Sequence, residues 1–110
     1  MKQGIKTNQR QVTQLHFVVN AAGTAVTGLD KHQVSCTDTG TGVKTIELSE
    51  ALQDMVIQVT SGTAVTATPL VAITDVDTFV VSTFALADGT TAMDAIVHIT
   101  VTGSRITDRV

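Results

Sequence analysis

Tryptophan and tyrosine are absent from this 110-residue chain, and phenylalanine occurs only three times. A core must therefore be assembled from small aliphatic side chains, and the flat aromatic platforms on which sugar-binding modules stack their ligands are missing. A single cysteine, Cys36, excludes an intramolecular disulfide framework and a multi-thiolate metal site supplied by one chain. Charged residues make up only 15% and the formal net charge is -3, so no general attraction to nucleic acid or to an anionic membrane is implied. No apolar run approaches the ~20 residues that span a bilayer. The start also lacks the charged-then-apolar pattern of a secretory leader, so a soluble product made in the cytosol is expected.

What is abundant instead is threonine and valine. Both are β-branched, lose rotamer freedom in helices and pack well on a pleated sheet. The alternation agrees. Leu15, Phe17 and Val19 fall on one face of a strand and Gln14, His16 and Val18 on the other. Val34 and Cys36 alternate with polar neighbours, as do Ile46 and Leu48, then Met55, Ile57 and Val59. "LVAIT" and "TFVVSTF" are short apolar strands after Pro69, which lacks a ladder donor and opens a strand or marks an edge. Ala95, Val97, Ile99 and Val101 form the inward face of the last strand. Ser49–Asp54 fits either one helical turn or a plain connection. About eight short strands at roughly 8 to 12 residue spacing predict one all-β domain, an antiparallel sandwich, jelly roll or barrel.

The predicted boundaries are an extended N-terminal arm at 1–12, the β-domain at 13–105 and a C-terminal tail at 106–110. The arm "MKQGIKTNQR" carries Lys2, Lys6 and Arg10, three of the seven basic residues, and no acid.

One tripeptide raises the question of catalysis. Asp38-Thr39-Gly40 spells the motif that holds the catalytic carboxylate in aspartic proteases, whose two carboxylates share one proton, so a chain this short would act as a homodimer. Here, however, the Asp follows polar Ser35 and Thr37 rather than a strongly apolar strand. The supporting loop around Gly103 is interrupted by Thr102, and the flap region offers only Gly62. The stretch "SCTDTGTGVKTIEL" reads instead as a hairpin, with Asp38 bonding the turn and Gly40 and Gly42 letting the chain reverse. A phosphate loop at these glycines would need a helix after it, and "VKTIEL" is a strand.

His16, His32 and His98 are far apart in sequence, and a surface or interface role is expected for them rather than a metal site. Asp75, Asp77, Asp88 and Asp94 are the residue type that binds calcium, but Asp in turns more commonly bonds its own backbone. Cys36 is expected to point inward. No nucleophile-plus-base pair stands out, so the expectation is a non-enzymatic protein without cofactor.

The order of these features resembles the small all-β virion proteins of tailed bacteriophages. It runs from a polar arm through Phe17-Val18-Val19, a small-residue turn and "VSCTDTGTGVKTIEL" to a closing "AIVHITVTGSR". The likeness covers residues 13 to 105. It implies a jelly-roll-like sandwich that assembles as a homotrimer. Such a protein decorates (cements) the expanded head by binding the major capsid protein, or forms part of a collar or tail fibre. Where an aromatic usually follows the Gly-x-Gly turn, this chain has Lys44, expected in an exposed turn facing a partner. The arm residues Lys2, Lys6 and Arg10 would meet a negatively charged shell, with Gln11 and Val12 adding a strand to a neighbour's edge. Val18, Val80 and Phe84 fall on faces that a lone sandwich leaves wet, and are the expected inter-subunit contacts.

Overall fold

The computed structural model describes residues 9–62 and 69–107. Its strands are β1 (Gln9–Val19), β2 (Val26–Thr27), β3 (Val34–Gly40), β4 (Val43–Leu48), β5 (Gln53–Ser61), β6 (Leu70–Asp75), β7 (Thr78–Ser82) and β8 (Val97–Thr107), with one 3-10 turn at Lys31–Gln33. They form two four-stranded sheets, ordered β2-β1-β8-β5 and β3-β4-β7-β6, in which every pairing is antiparallel. The chain is all-β across the described residues, as its Thr and Val content requires.

The period of two decides which side chains meet. Leu15, Phe17 and Val19 stand opposite Val101, Ile99 and Val97 in one sheet, and Ile46 stands opposite Phe79 in the other. All of these join Leu48, Leu52 and Val81 in one buried cluster, so the two sheets share a core in a sandwich-like arrangement. Each such side chain removed from water contributes roughly 1.5–3 kcal/mol before chain entropy is subtracted. Phe79 is the one aromatic among the fully buried side chains, and valines and isoleucine supply most of the rest.

Two features depart from the sequence reading, and one choice it left open is decided. Gln9–Val12 do not form a separate arm, because they continue β1 and ladder onto Ser104–Thr107, which also draws Ile106 and Thr107 out of the expected tail. The ladder is made by backbone groups, so the polar side chains of that stretch give no apolar alternation to betray it. Of the two forms left open after β4, the structure has the plain connection, over residues 49–52, with the Ser49 and Leu52 amides donating to Gln33 and Val76 carbonyls at 2.9 Å each. The strand starting at Thr78 stops at Ser82, and Phe84 makes only an isolated bridge to Ala92.

Leu52 closes the core at the end where β1 and β8 run on. A Cβ on Gly103 would lie 2.8 Å from the Leu52 Cβ, so only glycine lets that plug seat against β8. Beyond this point the β1–β8 ribbon leaves the shared core, and Val12 is 76% exposed.

Candidate functional site

The Asp38-Thr39-Gly40 stretch lies at the end of edge strand β3, next to a bulge between Asp38 and Gly40. Asp38 is exposed, and its Oδ1 accepts the Gly40 amide at 3.2 Å. Of the two turn glycines only Gly42 takes a left-handed conformation, at φ 71°. Its amide donates to Asp94 Oδ1 at 2.7 Å. Its carbonyl accepts the Thr83 amide at 2.8 Å, and the Met93 amide returns to the Thr83 carbonyl at 3.0 Å. The hairpin tip is thus bound to the 83–94 connection, and Asp94 is held there as a structural acceptor.

Lys44 overturns its expectation. It does not sit in an exposed turn; it points into the core and is 1% exposed. The period of two along β4 places Lys44 on the inward face with Ile46 and Leu48, while Thr45 and Glu47 look outward. Its Nζ has no hydrogen-bond partner among the described residues. The alkyl stem packs over Gly23, its Cγ 3.3 Å from the position a Cβ on that glycine would take. Cys36 shares this face, half-buried opposite Ile46. Burial pushes its thiol pKa up from the usual value, nearby Lys44 pulls it back, and Asp38 pushes it up again.

The other candidate ligands are separated and committed locally. Asp75 accepts the Val76 amide, Asp77 the Thr78 hydroxyl, and Asp88 the amides of Thr90 and Thr91. Three bonds to Thr90 and Thr91, led by the Thr91 hydroxyl, hold the Asp88 carboxyl at about 2. His16 and His98 both face outward from the β1–β8 sheet, beside a shallow depression of about 340 Å³, and His16 Nδ1 lies 3.1 Å from Thr100 Oγ1. His32 sits apart in the exposed 3-10 turn. Among the described residues no three His, Cys, Asp or Glu side chains converge on a common point.

The expected contact residues scatter. Lys2 and Lys6 lie outside the described residues, and Arg10 and Gln11 occupy β1 register positions opposite Ile106 and Arg105. Val18 is half-buried on the outward face of one sheet and Val80 half-buried on the outward face of the other, while half-buried Phe84 belongs to the connection after β7. They do not share one surface. Sequence reasoning passed over a different group: Val56, Leu70, Ile73 and Val76, each more than half exposed, along the open side where β5 and β6 are the edge strands. A groove of about 500 Å³ runs there, lined by Met55, Ile73 and Val76 together with Asp54 and Asp75. Val56 was legible in "MVIQVT", where it breaks the polar face formed by Gln58 and Thr60. No protein family, curated protein or solved structure matches this chain.

Proposed function

We propose that the chain is a structural protein of a tailed-bacteriophage particle, a capsid decoration (cement) protein that binds the expanded head and stabilises its shell. The observation that carries this reading is the placement of apolar surface. Val12, Val56, Leu70, Ile73 and Val76 are 51 to 76% exposed, at a ribbon end and along uncapped sheet edges. Exposed apolar side chains at strand edges suit association with other proteins. A jelly-roll-like wrapping belongs to the same reading: the first and last strands lie side by side, and the chain crosses between the sheets at the β2–β3, β4–β5, β5–β6 and β7–β8 connections.

The mechanism is linkage. A protein that binds only the expanded lattice adds interface free energy to that state, and several joined copies multiply weak contacts. The basic residues Lys2, Lys6 and Arg10 supply the electrostatic half of the shell contact, and Val12 at the ribbon end the apolar half. The partners are the major capsid protein and further copies of the chain, three per unit in the family it resembles.

Removing residues 1–8 leaves the Gln9–Val12 ladder intact, so the truncated chain should fold yet lose binding to purified expanded heads of the encoding phage. Unchanged occupancy removes the arm from the mechanism. Copy number per particle by quantitative mass spectrometry decides the location: hundreds of copies support decoration, a few to tens place the protein in a collar or tail fibre, and none rejects the virion reading.

A further inference from the structure

We propose that β5 is a self-pairing edge: two copies of the chain join antiparallel along Met55–Val59 about a two-fold axis at Ile57. The inference rests on the self-assembling character proposed above but not on its phage setting.

The backbone phase carries the argument. His16 receives and gives its main-chain bonds on the side away from β8, its amide donating to Asp30 Oδ2 at 2.7 Å and its carbonyl accepting the Asp30 amide at 3.0 Å. Main-chain groups alternate along a strand, so the odd-numbered positions of β1 turn toward β8. With the register Leu15 to Val101 and Gln58 to Thr100, the even-numbered positions of β8 then serve β5. The Gly62 amide donating to the Ile96 carbonyl at 2.7 Å keeps the same phase. Val56, Gln58 and Thr60 therefore direct their backbone groups to β8. Ile57 and Val59 direct theirs outward, where no described strand lies, and Met55 sits in the bulge that precedes Val56.

That outward edge is complementary to itself. Centred on Ile57, antiparallel pairing sets Met55 against Val59, Ile57 against Ile57 and Val56 against Gln58 of the second copy, and bonds the outward backbone groups of Ile57 in both copies. Asp54, the one charged residue of β5, meets Thr60 rather than another carboxylate. Met55, Ile57 and Val59 point inward yet remain half-exposed, and the pairing covers them. The other long edges carry the devices that block pairing: β3 has Asp38 and a bulge beside it, while β6 follows Pro69 and ends in a bulge at Asp75. β5 keeps its charge and its bulge at its start, between Gln53 and Val56, where Asp54 takes a φ of 54°; from Val56 to Ser61 it has no charge, no proline and no bulge. The family resemblance implies three copies; this edge selects two.

Sedimentation equilibrium of the full chain across micromolar concentrations tests this without any phage particle. The native chain should be a reversible dimer. Val56→Lys with Gln58→Lys, both at exposed outward positions, brings like charges together across the pairing and should weaken dimerisation by about tenfold or more. Val56→Lys with Gln58→Glu places opposite charges there and should restore it. Circular dichroism checks that both variants fold. A native monomer or trimer, a double-lysine variant that dimerises as before, or no rescue by the charge-paired variant overturns the assignment. A dimer that does not bind heads instead rejects the virion reading while leaving the edge in place.

Discussion

Asp38 and Lys44 stand directly opposite each other on β3 and β4, yet only one of them reaches water. Asp38 is exposed and its Oδ1 accepts the Gly40 amide, while Lys44 is 1% exposed and its Nζ has no hydrogen-bond partner among the described residues. A buried, unpaired charge costs several kcal/mol, and apolar replacement of buried ionic groups is often stabilising. Lys44→Met keeps most of the stem's volume and removes the amine. It should raise unfolding free energy by about 1–4 kcal/mol, read as a higher urea midpoint at unchanged slope. A lower midpoint would show that the amine has a partner worth more than its burial.

The same pair adjusts the reactivity of Cys36, which burial governs first. Burial raises the thiol pKa above its ordinary value, Lys44 opposes that rise and Asp38 adds to it. The reacting species is the thiolate, so alkylation at pH 8 should be slow in the native fold. Lys44→Met removes the opposing charge and should slow it further, whereas Asp38→Asn should speed it. Equal iodoacetamide rates in all three proteins would mean that access, not charge, governs this thiol.

The sheets were legible because Leu15, Phe17, Val19, Val97, Ile99 and Val101 repeat with a period that only a half-buried strand needs. The extension of β1 to Gln9 was not, since its ladder to Thr107 is a backbone property to which polar Gln and Arg side chains contribute no pattern. Lys44 was misread for a different reason. The alternation that turns Ile46 and Leu48 inward carries Lys44 to the same face, but its charge argued for a place in the turn, whereas a long alkyl stem can occupy a buried position. The exposed edge of β5 was hidden too, because sheet order comes from strand pairings far apart in sequence.

The hairpin tip carries a sharper test of packing. At Gly42 an added Cβ would lie 2.6 Å from the Thr83 carbonyl oxygen and 2.7 Å from the Met93 amide nitrogen, in a left-handed backbone that disfavours any side chain. Gly42→Ala should destabilise the protein by about 2–3 kcal/mol or more. Asp94→Ala removes only the carboxylate that accepts the Gly42 amide at 2.7 Å. It should cost about 1–3 kcal/mol by leaving a part-buried donor unmet. Chemical denaturation of both variants checks the order, and a larger loss at Asp94 would mean that the carboxylate, not the close approach at Gly42, holds the tip.

Asp88 should titrate far below an ordinary aspartate. The Thr91 hydroxyl, the Thr91 amide and the Thr90 amide all donate to its carboxylate and favour the charged form, giving a folded pKa of about 2 against an ordinary 3.8. A depressed carboxyl pKa stabilises the folded turn above the unfolded value and loses that contribution as pH falls through the folded one. The turn should therefore be fully held above about pH 4 and released between there and pH 2. Carboxyl carbon shifts in an NMR titration should show a midpoint near 2, with the Thr90 and Thr91 amide shifts moving together with it. Thr91→Val removes the leading donor but leaves both amides, so its midpoint should rise part of the way toward 3.8. A native midpoint at 3.8 would show that these bonds do not persist in solution, and the 84–92 turn would then need another source of order.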